Sequence, residues 1–151
     1  MADIRVSTYQ GSPTTVLTTQ LNSLANLTWS ALSSAVDNST NGYMYVDIEV
    51  ALASLTPSGD DAAIEIYLVP SIDGSTYPNY TESGTYEEIE NAPYFVGAVP
   101  LSLDTEAQTQ VLRQIELPPG SFKIGVRNQA NVGLAASGNT VRLAYWTYKS
   151  V

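Results

Sequence analysis

The fold is decided by residues 111–146, VLRQIELPPGSFKIGVRNQANVGLAASGNTVRLAYW, where apolar and polar residues alternate most regularly. Alternation with a period of two is typical of a strand with one buried face. Pro118, Pro119 and Gly120 predict a turn, because proline fixes φ and has no N–H to donate to a ladder. We therefore expect the two segments that flank this turn to pair as antiparallel strands. The residues predicted on single faces are Val111, Arg113, Ile115 and Leu117 in the first run, Phe122, Ile124 and Val126 in the second, and Val141, Leu143 and Tyr145 in the third.

The same alternation appears twice in the first half of the chain. Val46, Ile48, Val50 and Leu52 form one apolar series, and Ile64, Ile66 and Leu68 form another after the turn-rich residues 56–61. We expect these two strands to be neighbours in a hairpin, which would place Asp47, Glu49 and Glu65 together on one solvent-exposed face. Further strands are predicted at residues 26–32 and 95–103, and Pro100 indicates an edge position or a bulge in the latter.

These segments amount to about seven or eight strands with frequent turn signals and no long helix. The pattern predicts an all-β fold, a single antiparallel β-sandwich with jelly-roll or Ig-like connections. Residues 1–25 are rich in Ser, Thr and Gln and are broken at Gly11-Ser12-Pro13, so we expect a partly extended N-terminal arm. The sandwich domain is then residues 26–151. Such an arm often packs only when a neighbour is present.

The composition excludes several chemistries. The chain has no cysteine and no histidine, which removes thiol catalysis, Ser-His-Asp hydrolysis and histidine-based metal sites. We expect no cofactor. The start, MADIR, has no basic segment followed by an apolar run, and no window reaches the ~18 apolar residues of a membrane span. We therefore expect no export signal and no membrane segment.

Charge is distributed unevenly along the chain. The net charge is −9, and thirteen of the fifteen acidic residues lie between Arg5 and Arg113, where no lysine or arginine occurs. An acidic chain repels phosphate, so we expect no nucleic-acid partner. Two interpretations remain: the acids and bases pair within the chain, or acidic and basic faces meet between copies or on a partner. In the second, Lys123, Arg127 and Arg142 form a basic interface face.

Two acidic clusters are candidate sites of chemistry. Asp60, Asp61 and Glu65 offer oxygen ligands for calcium, but their spacing matches no EF-hand. The acids Glu82, Glu87, Glu88 and Glu90 could include a glycosidase pair, although acids in a polar loop usually stay solvated. We expect no enzymatic activity. Gly133 and Gly138 precede neither a lysine nor a helix start, so turn geometry explains them better than phosphate binding.

Tyrosines are the remaining candidates for function. The chain has ten, and residues 70–93 form an irregular segment longer than most connections between strands. Tyrosine gives a large contact area at low entropic cost, which suits a protein interface or stacking on sugar rings. Some could instead close one end of the sandwich. The predicted interface tyrosines are Tyr77, Tyr80, Tyr86 and Tyr94.

Several short stretches resemble a group of small virion proteins of tailed bacteriophages. They are LPPGSFK at 117–123, VRN at 126–128, LAASGNTV at 134–141, AVDNSTN at 35–41 and YLVPSIDG at 67–74. The resemblance implies a β-sandwich subunit present in many copies, such as a decoration or cement protein on the outside of the capsid. Its implied partners are the major capsid protein or other virion proteins and further copies of itself, with a trimer among the options. It carries no functional residues over. The alternatives are a carbohydrate-recognition module of a head or tail fibre, built on the four tyrosines, and a tail or connector component.

Overall fold

A computed structural model describes residues 5–80 and 91–150, which contain nine strands and two short 3-10 turns. The strands are β1 (Arg5–Tyr9), β2 (Thr14–Leu17), β3 (Val36–Asp37), β4 (Tyr45–Leu52), β5 (Ala63–Pro70), β6 (Phe95–Pro100), β7 (Gln108–Glu116), β8 (Ser121–Gln129) and β9 (Thr140–Ser150); the 3-10 turns are Thr19–Leu21 and Ala92–Tyr94.

The strands form two antiparallel sheets, as predicted for a β-sandwich. The five-stranded sheet has the order β1-β9-β4-β7, with β2 also paired to β9, and the four-stranded sheet has the order β3-β8-β5-β6. From β2 onward, most connections cross from one sheet to the other. This order, with β9 between β1 and β4 and β8 between β3 and β5, is that of a jelly roll rather than an Ig fold.

Two predicted hairpins are wrong. The turn at residues 117–120 connects β7 in one sheet to β8 in the other, and β4 and β5 likewise lie in different sheets. β7 pairs with β4, and β8 pairs with β5. Alternation specifies which side chains of a strand are buried but not which strand is its neighbour. Here, consecutive strands bury their apolar faces against each other across the sandwich.

The predicted inward faces are confirmed for four strands. The apolar series of β4 and β8, the Ile64, Ile66 and Leu68 series of β5 and the Val141, Leu143 and Tyr145 series of β9 are all buried in one core. Strand β6 lies at a sheet edge and carries a register shift opposite β5, as Pro100 indicated.

Strand β7 departs from its predicted face. Leu112 packs against the core, whereas Val111 is 46% exposed. The register slips between Val46 and Ile48, where Gln114 has a positive φ of 59°. One extra residue in a bulge reverses the face that each side chain occupies, so Ile115 returns to the core side.

The strand predicted at residues 26–32 is also wrong. This segment runs along the edge of β8 with only an isolated bridge between Trp29 and Arg127. Ser30 donates its backbone N–H to the Val126 carbonyl, and its side-chain hydroxyl accepts the Val126 N–H at 3.1 Å. Ser33 makes the same two bonds with Ile124, and its hydroxyl accepts the Ile124 N–H at 2.9 Å. Three residues of the segment therefore span two of β8, a spacing that a regular ladder cannot maintain.

The segment predicted as a partly extended N-terminal arm contributes to the sandwich. Its residues form β1 and β2, which pair one after the other with β9. Leu17 and Leu21 are fully buried in the common core. The strands and buried leucines of this segment therefore belong to the same sheet and core as the strands that follow.

Candidate functional site

Three of the four predicted interface tyrosines lie among the described residues, and each of the three is partly buried. Tyr80 lies over Gly125 of β8 and makes an edge contact with Tyr67, with ring centroids 6.2 Å apart. The ammonium group of Lys123 lies 4.4 Å from the centre of the Tyr77 ring. Tyr94 ends the 3-10 turn before β6 and is half-buried, and Tyr86 lies outside the described residues.

The predicted basic residues lie on opposite sides of the molecule. Lys123 and Arg127 belong to β8 in the four-stranded sheet, and Arg142 belongs to β9 in the five-stranded sheet. They therefore form no single basic face. The acids expected on one solvent-exposed face are divided in the same way, with Asp47 and Glu49 on β4 and Glu65 on β5.

Two of these basic residues pair with acids of their own sheet. Arg142 forms an ion pair and hydrogen bonds with Glu49, its register partner on β4. Arg127 lies 3.6 Å from Glu65 and stacks at 4.3 Å on the ring of Trp29. Pairing within the chain, the first of the two interpretations of the charge distribution, accounts for these residues.

The outer face of the five-stranded sheet carries an aromatic row that the sequence analysis missed. Tyr9, Trp146 and Tyr45 lie side by side in register across β1, β9 and β4. Trp146 stacks on Tyr45 at 4.7 Å, and Tyr148 contacts both rings edge-on. Tyr9 is 58% exposed and Tyr148 40% exposed, so this row faces solvent. Alternation along β4 and β9 places Tyr45, Trp146 and Tyr148 on the outward face of the sheet, so their row could be predicted from the sequence. The position of Tyr9 beside them follows only from the register of β1 against β9.

A buried carboxylate organises this row. Asp47, only 5% exposed, accepts hydrogen bonds from the Tyr9 hydroxyl at 2.6 Å, the Gln114 backbone N–H at 2.8 Å and the Trp146 indole N–H at 3.2 Å. The Nε atom of Arg113 lies 3.4 Å from the same carboxylate. Burial raises the pKa of Asp47, but the hydrogen bonds and the guanidinium together outweigh it and hold the pKa below its ordinary value.

Around this carboxylate lies an open cavity of about 360 Å³, which we call the Asp47 pocket. The register explains it: Asp47 faces the small Ala144 on β9, and the bulge at Gln114 widens the other side. Strands β1, β4, β7 and β9 each contribute to the pocket. Its lining residues are Thr8, Tyr9, Asp47, Arg113, Gln114 and Trp146.

A second feature lies at the end of the same sheet. Strand β4 pairs with β9 only as far as Tyr45 opposite Trp146. Beyond that point, residues 147–150 continue as a strand, and among the described strands only β1 pairs with them, through residues 5–8. We call these two segments the terminal ribbon.

The described residues offer little for other site types. In residues 5–80 and 91–150, no group of three or more Asp, Glu, His or Cys side chains could hold a metal ion. Asp61 accepts a hydrogen bond from Asn131, away from Glu65. Over the same two ranges, no helix is long and apolar enough to cross a membrane.

Fold and surface together define an antiparallel jelly-roll sandwich with a pocket on the aromatic face of one sheet and a two-stranded ribbon at the end of that sheet. No protein-family model matches the chain, and neither a curated protein nor a solved structure gives a significant match.

Proposed function

We propose that the chain is a non-enzymatic structural protein of a tailed-phage virion, a decoration protein that binds the outer surface of the capsid. The observation that carries the proposal is the terminal ribbon. The resemblance of residues 117–123, 134–141 and the other quoted stretches to phage virion proteins supports it. The fold is compatible, because jelly rolls recur in viral capsid and lectin domains, although fold alone does not assign a function.

The ribbon is the part of the molecule that gains most from a partner. A two-stranded segment has fewer neighbours to stabilise it than strands inside a sheet, and the side-chain contacts found for the ribbon are those of Tyr148 with Tyr45 and Trp146. Its edges present unpaired backbone N–H and C=O groups, which can pair with a strand of another protein. The body of the sandwich, by contrast, has its own closed core.

The basic residues of the ribbon indicate the charge of the surface that it would contact. It contains Arg5 and Lys149, two of the six basic residues in a chain of net charge −9. Of the other four, three are arginines that lie beside Asp47, Glu65 and Glu49. The proposed capsid surface is therefore acidic where the ribbon docks. Binding at many equivalent lattice positions lets modest individual contacts stabilise a whole shell.

The test uses phage heads assembled without this chain. The purified protein should sediment with such heads and raise the temperature at which they rupture. A variant lacking residues 2–7, and the double variant R5Q/K149Q, should bind more weakly than wild type. The variant K123Q removes one positive charge from the other sheet and is the matched control. Unchanged heat resistance at full occupancy, or binding to purified tails but not to heads, would refute the capsid assignment.

A further inference from the structure

The Asp47 pocket is assembled before any ligand arrives. The Asp47 carboxylate accepts hydrogen bonds of 2.6–3.2 Å from three strands. The donors are the Tyr9 hydroxyl, the Trp146 indole N–H and the Gln114 backbone N–H. Hydrogen bonds of this kind fix the two rings in place, so a ligand would not have to order them. Asp47 itself is a positioning residue, because a carboxylate accepts about four hydrogen bonds and these donors with Arg113 occupy it.

The polar groups left for a ligand are those at the rim. Arg113 approaches Asp47 through Nε, and its side chain is 75% exposed, so its terminal N–H groups are accessible. The Gln114 side chain is also exposed and offers an amide donor and acceptor. The Tyr9 ring supplies an exposed apolar surface beside them.

We propose that the Asp47 pocket binds a single saccharide ring. A cavity of about 360 Å³ is at the small end of the range for ligand sites. A pyranose presents an apolar C–H face, which suits the Tyr9 and Trp146 rings, and hydroxyl groups at its edge, which suit the Arg113 fork and the Gln114 amide. Four of the six lining residues, Thr8, Asp47, Arg113 and Gln114, are polar or charged. A pocket for an apolar anchor of a partner protein would be lined mainly by apolar groups.

The proposal does not depend on attachment to a capsid. The R5Q/K149Q variant that tests the ribbon changes none of the residues that line the pocket, which are Thr8, Tyr9, Asp47, Arg113, Gln114 and Trp146. Heads could therefore bind the chain while sugars do not, and the reverse outcome is equally distinguishable.

The test is an NMR titration of the full 151-residue chain, which has only two indole N–H signals, from Trp29 and Trp146. The probes are methyl glycosides of glucose, galactose, mannose, N-acetylglucosamine and glucuronic acid, with N-acetyltyrosine amide as a mimic of a protein anchor. At least one glycoside should shift the Trp146 signal in a saturable way and leave the Trp29 signal unchanged. Arg113→Gln should weaken that binding at least about tenfold. Arg142→Gln, on the same face but outside the pocket, should leave it unchanged.

Three results would overturn the proposal. The first is that no glycoside shifts the Trp146 signal up to its solubility limit. The second is that Arg113→Gln binds the glycoside as tightly as wild type. The third is that the tyrosine amide saturates the pocket and the glycosides do not, which would assign the pocket to a protein partner.

Discussion

Asp47 is the residue on which the outer face of the five-stranded sheet depends. It is almost fully buried, and its carboxylate connects β4 to groups on β1, β7 and β9. Asp47→Ala leaves the Tyr9 hydroxyl, the Trp146 indole and a backbone N–H without their acceptor. We expect a loss of about 2–4 kcal/mol in the free energy of unfolding, measured by urea denaturation.

Glu49→Ala is the matched control for that substitution. Glu49 is two residues along the same strand and also pairs with an arginine, but its side chain is 25% exposed, whereas that of Asp47 is 7% exposed. Exposed pairs contribute less than about 1 kcal/mol. Equal losses for the two variants would contradict the role assigned to Asp47.

The lowered pKa of Asp47 predicts a dependence of stability on pH. In the unfolded chain the carboxyl titrates near its ordinary value of 3.8, and in the folded protein it titrates lower. The folded state therefore gains stability from this group above about pH 4, and loses that gain as the pH falls through the folded pKa. Between pH 4 and 2, wild type should lose more stability than Asp47→Asn does. Asp37 and Asp73 also have lowered pKa values, but they titrate in both proteins and cancel in the comparison. Parallel curves for the two proteins would refute the assignment.

Gly125 is required for steric reasons. A Cβ atom there would lie 2.5 Å from the Tyr80 hydroxyl oxygen and 3.1 Å from Leu32. Gly125→Ala should displace the Tyr80 ring and cost about 1–3 kcal/mol of stability, as measured by urea denaturation. Gly133→Ala, where the nearest atom is 3.9 Å away, should change stability little. If Gly125→Ala is as stable as wild type, Tyr80 does not pack on β8 in solution.

At the scale of elements, the terminal ribbon should be the least protected part of the sheet in the free protein. Its residues 147–150 pair only with β1 among the described strands, whereas Val141 and Leu143 lie between two strands and are fully buried. Amide hydrogens of 147–150 should therefore exchange with deuterium much faster than those of Val141 and Leu143. Binding to heads should slow the exchange in the ribbon. Equal protection in the free protein would remove the reason for proposing the ribbon as the docking element.

The sequence is informative about faces and uninformative about neighbours. Alternation identified the buried sides of β4, β5, β8 and β9, because burial on one side leaves a period-two record in each strand. It failed for β7, since the bulge at Gln114 shifts the period by one residue. The prediction also paired consecutive strands as hairpins, whereas in the jelly roll β4 and β5, and likewise β7 and β8, lie in opposite sheets.

The candidate site was less accessible to sequence reasoning than the fold. The residues that line the Asp47 pocket come from four strands, and they are spread along the sequence from Thr8 to Trp146. Only the register that places Tyr9 opposite Trp146 brings them together. The closeness of Tyr77 and Tyr80 in sequence favoured a shared interface, but their rings pack on β8: Tyr77 lies against Lys123, and Tyr80 lies over Gly125.

Over the whole molecule, the uneven distribution of charge is an effect of topology. The first half of the chain supplies Asp47, Glu49 and Glu65, and the second half supplies Arg113, Arg142 and Arg127, which lie beside them across strands. For these six residues, the contrast between an acidic first half and a basic second half of the sequence becomes a set of ion pairs on the outer faces of the two sheets. Arg5 and Lys149, the two basic residues of the ribbon, belong to the strand segments at the end of the sheet.

Cryo-electron microscopy of phage heads saturated with the purified chain would show whether the chain binds the shell and which end of the sandwich makes the contact. We predict jelly-roll densities at repeated positions on the outer lattice, with residues 5–8 and 147–150 at the contact with the shell. Heads that carry no such density after saturation, or densities whose contact is made by the opposite end of the sandwich near residues 53–62 and 130–139, would contradict the account.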